Sequence, residues 1–548
     1  MSLSRQLLPA IGIGLLAFAS HVSAAAARPN VVLILCDDLG FSDLGCYGGE
    51  MRTPNLDRLA AEGMRFSQFY NCAVCVTTRA ALTTGLYPRQ GKGGFLRPNM
   101  VTLGEVLREA GYATSLTGKW HLGSTAPRRP IDRGFDEYYG LLSGCCNFFN
   151  PAKQDPVFYN GGKFRPFAHN DQRIKEFPPG YYTTDAFTDH AIATIERFVK
   201  AGKPFFVHLC YTAPHFPLQA PEEDVARYRG QYADGYFTLR ERRHKRQIEM
   251  GLVDPKWKLS PVDRKTGSFR FDYEVTSWED VADRAREERR MEVLAAMVDR
   301  MDQGVGRLLD ALDRAGVADD TVVFFLSDNG GCASWPVNEA GFEAYNRGIP
   351  VGDPRGYEFV GRAWGWAQNA PFRRHKVWTY EGGIATPLIV RWPGVVPRGA
   401  ITHQVGHVID FMPTLIELAD ASYPETFGQR GWLGQETGHN HKETGHNHEE
   451  AGHKPSEAIL PVEGKSLVPI LRGQKRDPHE TLCWALYGNR AVRQGDWKLV
   501  WGASDRRWEL YDMAADRTET NDLAAEHPQR VEAMAAEWER WAKLCEVD

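Results

Sequence analysis

The sequence has few cysteines, no surplus of basic charge, and no stretch beyond its first residues apolar enough to cross a bilayer. Ten cysteines among 548 residues are too few for a disulfide scaffold, and no two C-x-x-C motifs pair as in a zinc ribbon. The single C-x-x-C, Cys72 to Cys75, permits a thioredoxin-like reading, but Cys75 also opens an arginine-containing motif. Adjacent Cys145 and Cys146 are free to pair elsewhere. With 65 Lys+Arg against 70 Asp+Glu, the net charge of -5 excludes broad attraction to nucleic acid or an anionic membrane, while leaving local anion sites open. The apolar run Leu7 to Ala19 is shorter than the roughly 20 residues of a spanning helix. Arg5 precedes it and Val22-Ser23-Ala24 follows, the layout of a signal peptide over residues 1–24. An uncleaved anchor is the alternative. The expectation is an exported protein, periplasmic or secreted, with no stable membrane span.

Hydrophobic residues make up 43% of the chain, ample for a large core, and the length suggests one large domain plus a smaller one. Asn30 to Cys36 is a short β-branched and aliphatic run that reads as a buried strand delivering Asp37-Asp38 to a loop. Tyr112 to Thr117 ends likewise at Gly118-Lys119-Trp120-His121, Phe205 to Tyr211 at Thr212-Ala213-Pro214-His215, and Thr321 to Leu326 at Ser327-Asp328-Asn329-Gly330. Helical spacing over Val101–Ala110 and Met291–Ala315, the latter closed by Gly316, alternates with these strands. Polar groups just past strand ends are where open α/β sheets build their sites.

Between Tyr236 and Arg290 the chain is strongly charged and partly helical in pattern, either an excursion shaping a cleft or a solvated helical face. Residues 435–455 contain Glu-Thr-Gly-His-Asn-His twice and read as an exposed loop. His439, His441, His446, His448 and His453 could bind a transition metal there, without a fixed element to set its geometry. After residue 476, Thr481–Tyr487, Arg490–Arg493, Trp497–Trp501 and Trp508–Asp512 alternate like an antiparallel sheet, and Pro528–Leu544 has helical spacing of Val531, Met534, Trp538 and Trp541. The fold class is therefore α/β, a large mixed central sheet flanked by helices, with a small C-terminal subdomain of antiparallel sheet plus helix. The division is 28–475 and 476–548.

Asp37 and Asp38 alone read equally as caps or a solvated turn. With Asp328 and Asn329 they become a hard, oxygen-rich set suited to calcium or magnesium. A divalent cation is also what keeps neighbouring carboxylates ionised together. Cys75 alone reads as a buried structural cysteine. Arg79 changes that, because a helix entrance with an arginine one turn on favours an anionic nucleophile or a bound oxyanion. Lys119, His121, His215 and Lys376 singly read as surface or core groups. Together they form a cationic set able to hold a tetrahedral oxyanion and protonate a leaving oxygen.

The stretch Cys75-Val-Thr-Thr-Arg79 before Ala-Ala-Leu-Thr-Thr-Gly85 resembles the sulfatase signature, and six further ordered motifs match the same family: Asn30 to Gly40, Thr53-Pro-Asn-Leu-Asp57, Gly118 to Gly123, Tyr211 to His215, Ser327 to Gly330 and Tyr380-Glu-Gly-Gly383. The chain is thus similar to formylglycine-dependent sulfatases of the arylsulfatase type, in the alkaline phosphatase superfamily. The resemblance implies that Cys75 is oxidised by formylglycine-generating machinery and that its aldehyde hydrate attacks a sulfate ester. One Ca2+ would be bound by Asp37, Asp38, Asp328, Asn329 and an oxygen of residue 75. Arg79 and Lys119 would steady hydrate and sulfate. His121 would take a proton from the second hydroxyl, and His215 and Lys376 would contact sulfate, one of them assisting the leaving group. The implied substrate is a sulfate ester, in first place a sulfated saccharide. Thr77 stands where the family usually has proline, leaving an amide donor and more backbone freedom before the modified residue. The competing readings are a phosphonate monoester or phosphodiester hydrolase of the same superfamily and a non-catalytic binder of sulfated glycans. Cys145–Phe149, the charged excursion and the aromatic-rich Trp364–Trp378 are the candidate pocket walls, with core packing the equal alternative for the aromatics.

Overall fold

The computed structural model describes residues 28–267, 269–425 and 458–547; the N-terminal apolar run and the histidine repeat lie outside them. No described helix is long and apolar enough to cross a membrane.

The strands in chain order are β1 (Asn30–Asp37), β2 (Met64–Tyr70), β3 (Ala113–Gly118), β4 (Glu137–Leu141), β5 (Phe167–His169), β6 (Gln172–Ile174), β7 (Phe205–Pro214), β8 (Thr321–Ser327), β9 (Ala385–Arg391), β10 (Ala400–Thr402), β11 (Gly406–His407), β12 (Leu482–Leu486), β13 (Asn489–Gln494), β14 (Trp497–Trp501) and β15 (Trp508–Asp512). They form an 11-stranded sheet in the order β10-β2-β9-β8-β1-β7-β3-β4-β5-β6, with β11 also on β2, and a separate four-stranded sheet β12-β13-β14-β15. The central strands β8, β1, β7 and β3 run parallel. Being buried on both faces, β1 and β8 are continuous apolar runs such as Val31–Cys36, whereas β3 also buries Thr114, Ser115 and Thr117. β9 is antiparallel to both β8 and β2, so two reversals return β2 to the common direction. The carboxyl ends of β2, β8, β1, β7 and β3 therefore face one edge of the sheet.

The helices follow the sequence pattern where apolar spacing is clean. Helix Leu103–Glu109 starts on a capping box, Thr102 accepting from the Glu105 amide and Glu105 from that of Thr102. The long helix Arg284–Arg314 begins seven residues before the apolar spacing does. Its first turns carry arginines, yet Arg290 is buried against Glu358, so pairing rather than hydrophobic spacing extends it. The charged excursion is likewise packed on one face. In helix Gly235–Glu249, Arg243 is 1% exposed and bonds Asp43 and Glu50, which overturns the solvated-face alternative for that side.

The four-stranded sheet buries Cys483, Val492, Leu499 and Leu510 against Met534, Trp538 and Ala542 of helix Pro528–Leu544. It also braces the large sheet. Lys498 of β14, fully buried, bonds Glu381 Oε1 at 2.8 Å and Glu519 Oε1 at 2.7 Å, and the Trp484 indole donates to the Asn71 carbonyl at 2.8 Å. All ten cysteines are free and buried, so neither Cys145 nor Cys146 is cross-linked. Cys72 faces His407 at 3.9 Å instead of Cys75, which leaves the C-x-x-C reading without a disulfide.

Candidate active site

Parallel register brings the four predicted strand-end motifs to one place. Cys36 of β1 pairs with Ser327 of β8, Asp37 with Pro214 of β7 across a bulge, and Gly118 of β3 with Cys210 of β7. Asp37-Asp38, Asp328-Asn329, Lys119-His121 and His215 thus leave neighbouring strands together. Gly118 has φ +109°, and a Cβ there would lie 1.8 Å from the Cys210 carbonyl oxygen, so only glycine lets the chain turn Lys119 inward. Asp38 (φ 69°), Ala73 (φ 62°), His121 (φ 63°) and Val377 (φ 76°) all occupy the left-handed region. Such outliers cost of order 1–3 kcal/mol each. They cluster around the site, and the Val377 amide donates to the Ala73 carbonyl at 2.8 Å, locking the two loops that carry Cys75 and Lys376 to each other.

Each of three buried carboxylates has one cation. Lys119 Nζ lies 2.5 Å from Asp37 Oδ2, Lys376 Nζ 2.5 Å from Asp38 Oδ1, and Arg79 Nη2 2.7 Å from Asp328 Oδ2. Arg79 also donates to the Lys119 carbonyl at 2.8 Å, so its guanidinium spans the acidic cluster and the lysine loop. Burial works against the Lys376 ammonium, but Asp38 holds it charged, well above its usual pKa. Asp328 is pushed up to about 6 by burial, with the charge of Asp37 adding to it. After these pairings, Asp37 Oδ1, Asp38 Oδ2 and Asn329 Oδ1 are buried without a hydrogen bond among the described residues. The Asn329 amide nitrogen is used up by Asp38 Oδ1 and the Gly330 carbonyl, which fixes its oxygen outward. Three orphaned hard oxygens fit a calcium-class ion. His215 adds to the cluster beyond the predicted set: its Nε2 is 3.5 Å from Asp38 Oδ2.

Cys75 begins helix Cys75–Thr84, whose N-cap Val74 supplies no side-chain cap. The first amides of that helix are therefore available to an anion. The thiol is 5% exposed and 3.5 Å from His121 Nδ1. Burial pushes it above its ordinary pKa, with Lys119 and Lys376 pulling the other way. It is a protonated thiol, a poor nucleophile as it stands. Burial and the cations Lys119 and Arg79 hold the His121 imidazole far below its usual pKa. Burial, with Lys376 and Lys119 beside it, lowers His215 to about 3 against the opposing pull of Asp38. His215 Nδ1 lies 2.6 Å from the Phe216 carbonyl, which fixes its proton on Nδ1 and leaves Nε2 an acceptor.

Thr77 does not confer the backbone freedom expected of it. Its hydroxyl lies 2.7 Å from the Cys72 carbonyl and 2.9 Å from that of Val74, tying down the turn that proline would stiffen. Thr77→Val should therefore lower stability by about 1 kcal/mol, read as a lower thermal midpoint. The aromatic wall also divides. Trp364 and Trp378 are fully buried core residues, whereas Cys145, Phe216 and Cys332 pack with Tyr159, Tyr357, Phe359 and Trp335 in a separate cluster next to His215. Phe216 and Cys332, which border Asp38, carried no sequence signal beyond adjacency to named motifs. Glu381 of the Tyr380-Glu-Gly-Gly motif is a bracing residue, bonded to Lys498 and Arg517.

Comparison with known proteins adds a family to this geometry. The Sulfatase family model matches residues 29–421. The chain belongs to the sulfatase family. An uncharacterized sulfatase of Schizosaccharomyces pombe is 31% identical over 95% of this chain and 94% of its own length. An arylsulfatase of Klebsiella aerogenes is 32% identical over 74% of this chain and 89% of its own. Among solved structures, Ps i-CgsB in complex with k-i-k-neocarrahexaose superposes with a TM-score of 0.64 at 26% identity, covering 94% of this chain and 93% of that one. As a sulfatase, the protein is a sulfuric ester hydrolase, and its α/β architecture is that of its structural neighbours.

Proposed function

We propose that this sulfatase removes sulfate from a sulfated carbohydrate, using formylglycine made from Cys75 and one calcium ion held by Asp37, Asp38, Asp328, Asn329 and the oxygen-bearing side chain at 75. The observation that carries the reading is the set of orphaned oxygens on Asp37, Asp38 and Asn329, enclosed by three paired cations beside a helix N-terminus. The carbohydrate assignment rests on the likeness to a structure that holds an oligosaccharide.

Calcium, when bound, would supply Lewis-acid polarisation of sulfate and relieve repulsion among the carboxylates. Formylglycine would supply, as its hydrate, two oxygens on one carbon, one to attack sulfur and one to expel sulfate. The chain's own residues do the rest. Lys119, Arg79 and Lys376 keep positive charge where sulfate oxygens gather it, and their fixed positions avoid reorganisation during reaction. His121, neutral and directed at the side chain of residue 75, accepts a proton from its oxygen. His215 presents Nε2 toward the cluster. The arriving anion raises its proton affinity, which suits it to protonate the leaving oxygen. Lys376, charged throughout, acts as a donor rather than a proton source. The same reading makes 1–24 a signal peptide, 28–475 the catalytic domain with its 435–455 insertion, and 476–548 a C-terminal subdomain of an exported, periplasmic or secreted enzyme.

The test is a panel of sulfated saccharides assayed for free sulfate, with phosphate and phosphonate esters of matched aglycone in parallel. A phosphorus ester turned over faster than every sulfate ester would reject the assignment. Calcium can be tested separately. Chelation should abolish turnover and added Ca2+ restore it, and Asn329→Ala should weaken calcium binding at least about tenfold, since even partners one shell out are worth that much. Titration of chelator-treated protein measures it.

A further inference from the structure

A second group of metal-competent side chains lies on the outer strands of the large sheet, apart from the catalytic cluster. Glu137 opens β4, His169 closes β5, and His190 sits on helix Thr183–Lys200, with Glu137 Oε1 2.9 Å from His190 Nε2 and 3.8 Å from His169 Nε2. All three ligand atoms lie within 4.8 Å of one another. Tetrahedral zinc with bonds of about 2.0–2.1 Å sets its ligand atoms about 3.4 Å apart, between the two distances found here.

The surroundings hold these atoms in place. His190 Nδ1 is 2.9 Å from Thr117 Oγ1, so the ring presents Nε2, and that buried atom has no well-aligned hydrogen bond among the described residues. Arg197 bonds Glu137 Oε2, leaving Oε1 to the imidazoles. Tyr139 stacks on His190 at 4.9 Å and meets His169 edge-on at 5.9 Å, restricting both rings. A hydrogen-bonded far nitrogen and an oriented carboxylate are the outer-shell features of histidine metal sites. Two imidazoles and one carboxylate select a zinc-class ion over calcium, with a fourth position left for water.

We propose that Glu137, His169 and His190 bind one zinc-class divalent ion that clamps the edge hairpin β5–β6 to helix Thr183–Lys200. The three-residue strands β5 and β6 end the sheet, and β6 is largely exposed. An ion bridging β4, β5 and the helix would stabilise the folded chain by mass action and close this edge against fraying.

Zn2+ alone, titrated into chelator-treated, calcium-reloaded full-length protein, tests the proposal. The histidines of the 435–455 repeat are a competing zinc binder to be controlled for, so the reading is the difference between wild type and His169→Gln. Wild type should retain one more equivalent of zinc after gel filtration, and zinc should raise its thermal midpoint more than that of the variant. Affinity for that equivalent should fall at least about tenfold in His169→Gln. Co2+ should leave intense visible bands of low-symmetry coordination in the wild-type-minus-His169→Gln difference spectrum, bands that are missing only if the site is absent. His169 is exposed, so this variant does not depend on refolding a core; Glu137→Gln serves as a second. Equal stoichiometry and equal thermal shifts in wild type and both variants would overturn the site, leaving the repeat as the sole binder.

Discussion

Cys75→Ala is expected to lower kcat for sulfate release by on the order of 10^6-fold, the scale on which removal of a nucleophile acts. The ionisable groups gathered around position 75 are cations, imidazoles and carboxylates already paired with cations. These can hold an anion, but none can replace an attacking oxygen. The fold should survive, because the loss is one sulfur atom at a site that already keeps most of its cost elsewhere, and destabilisation should stay near about 1 kcal/mol. The same logic reaches the unmodified wild type. A thiol kept protonated by burial is a weak nucleophile, so activity should scale with the fraction of chains carrying an aldehyde or its hydrate at position 75 by mass spectrometry. Full activity from a preparation with an intact thiol throughout would refute the formylglycine step while leaving the family assignment standing.

Lys498→Met should cost about 3–5 kcal/mol of stability, the range for breaking a buried ion pair from one side. Lys498, Glu381 and Glu519 are each fully buried, and the variant would leave two carboxylates facing Arg517, 2.9 Å from Glu381 Oε2, and the more distant Arg493. The thermal midpoint should fall by roughly 5–10 °C, at about 2 °C per kcal/mol for a large chain. A pH trend identifies the cause. Burial and the charge of Glu381 raise Glu519 from its ordinary 4.5 to about 7 even with Lys498 beside it. A carboxyl with a raised folded pKa supports the fold fully below its unfolded pKa and loses that support as pH rises through the folded one. Without Lys498 the folded pKa rises further. The deficit of the variant should therefore be larger at pH 8 than at pH 5, and Glu519→Gln added to Lys498→Met should recover part of it. A deficit independent of pH would point to lost packing instead.

The elements that formed as the sequence indicated share one property: their burial is written in their own residues. β1 and β8 are nearly uninterrupted apolar runs, and β7 opens on one. What the sequence hid depends on partners far along the chain. The early start of helix Arg284–Arg314 rests on Glu358, and the packed face of the charged excursion rests on Asp43 and Glu50. In the candidate site, residue types and their positions past strand ends were legible, because calcium-type chemistry needs several oxygens and an oxyanion needs cations. The pairing of each carboxylate with one particular cation was not, since lysines at 119 and 376 look alike until the strands are laid side by side. Nor was the Glu137–His169–His190 group, whose members fall on three separate elements with no motif to join them. Thr77 shows the reverse error. Its chemistry was read from the missing ring, while its hydroxyl supplies the restraint by another route.

Because β2, β8, β1, β7 and β3 all point the same way, the reactive groups sit on the short exits of the strands, while the helix Gly235–Glu249 and Tyr159 of the aromatic cluster belong to longer connecting segments. The strand exits can thus be kept while the longer connections are exchanged. Grafting those connections from a relative of other selectivity is expected to alter specificity without changing the residues at the strand exits.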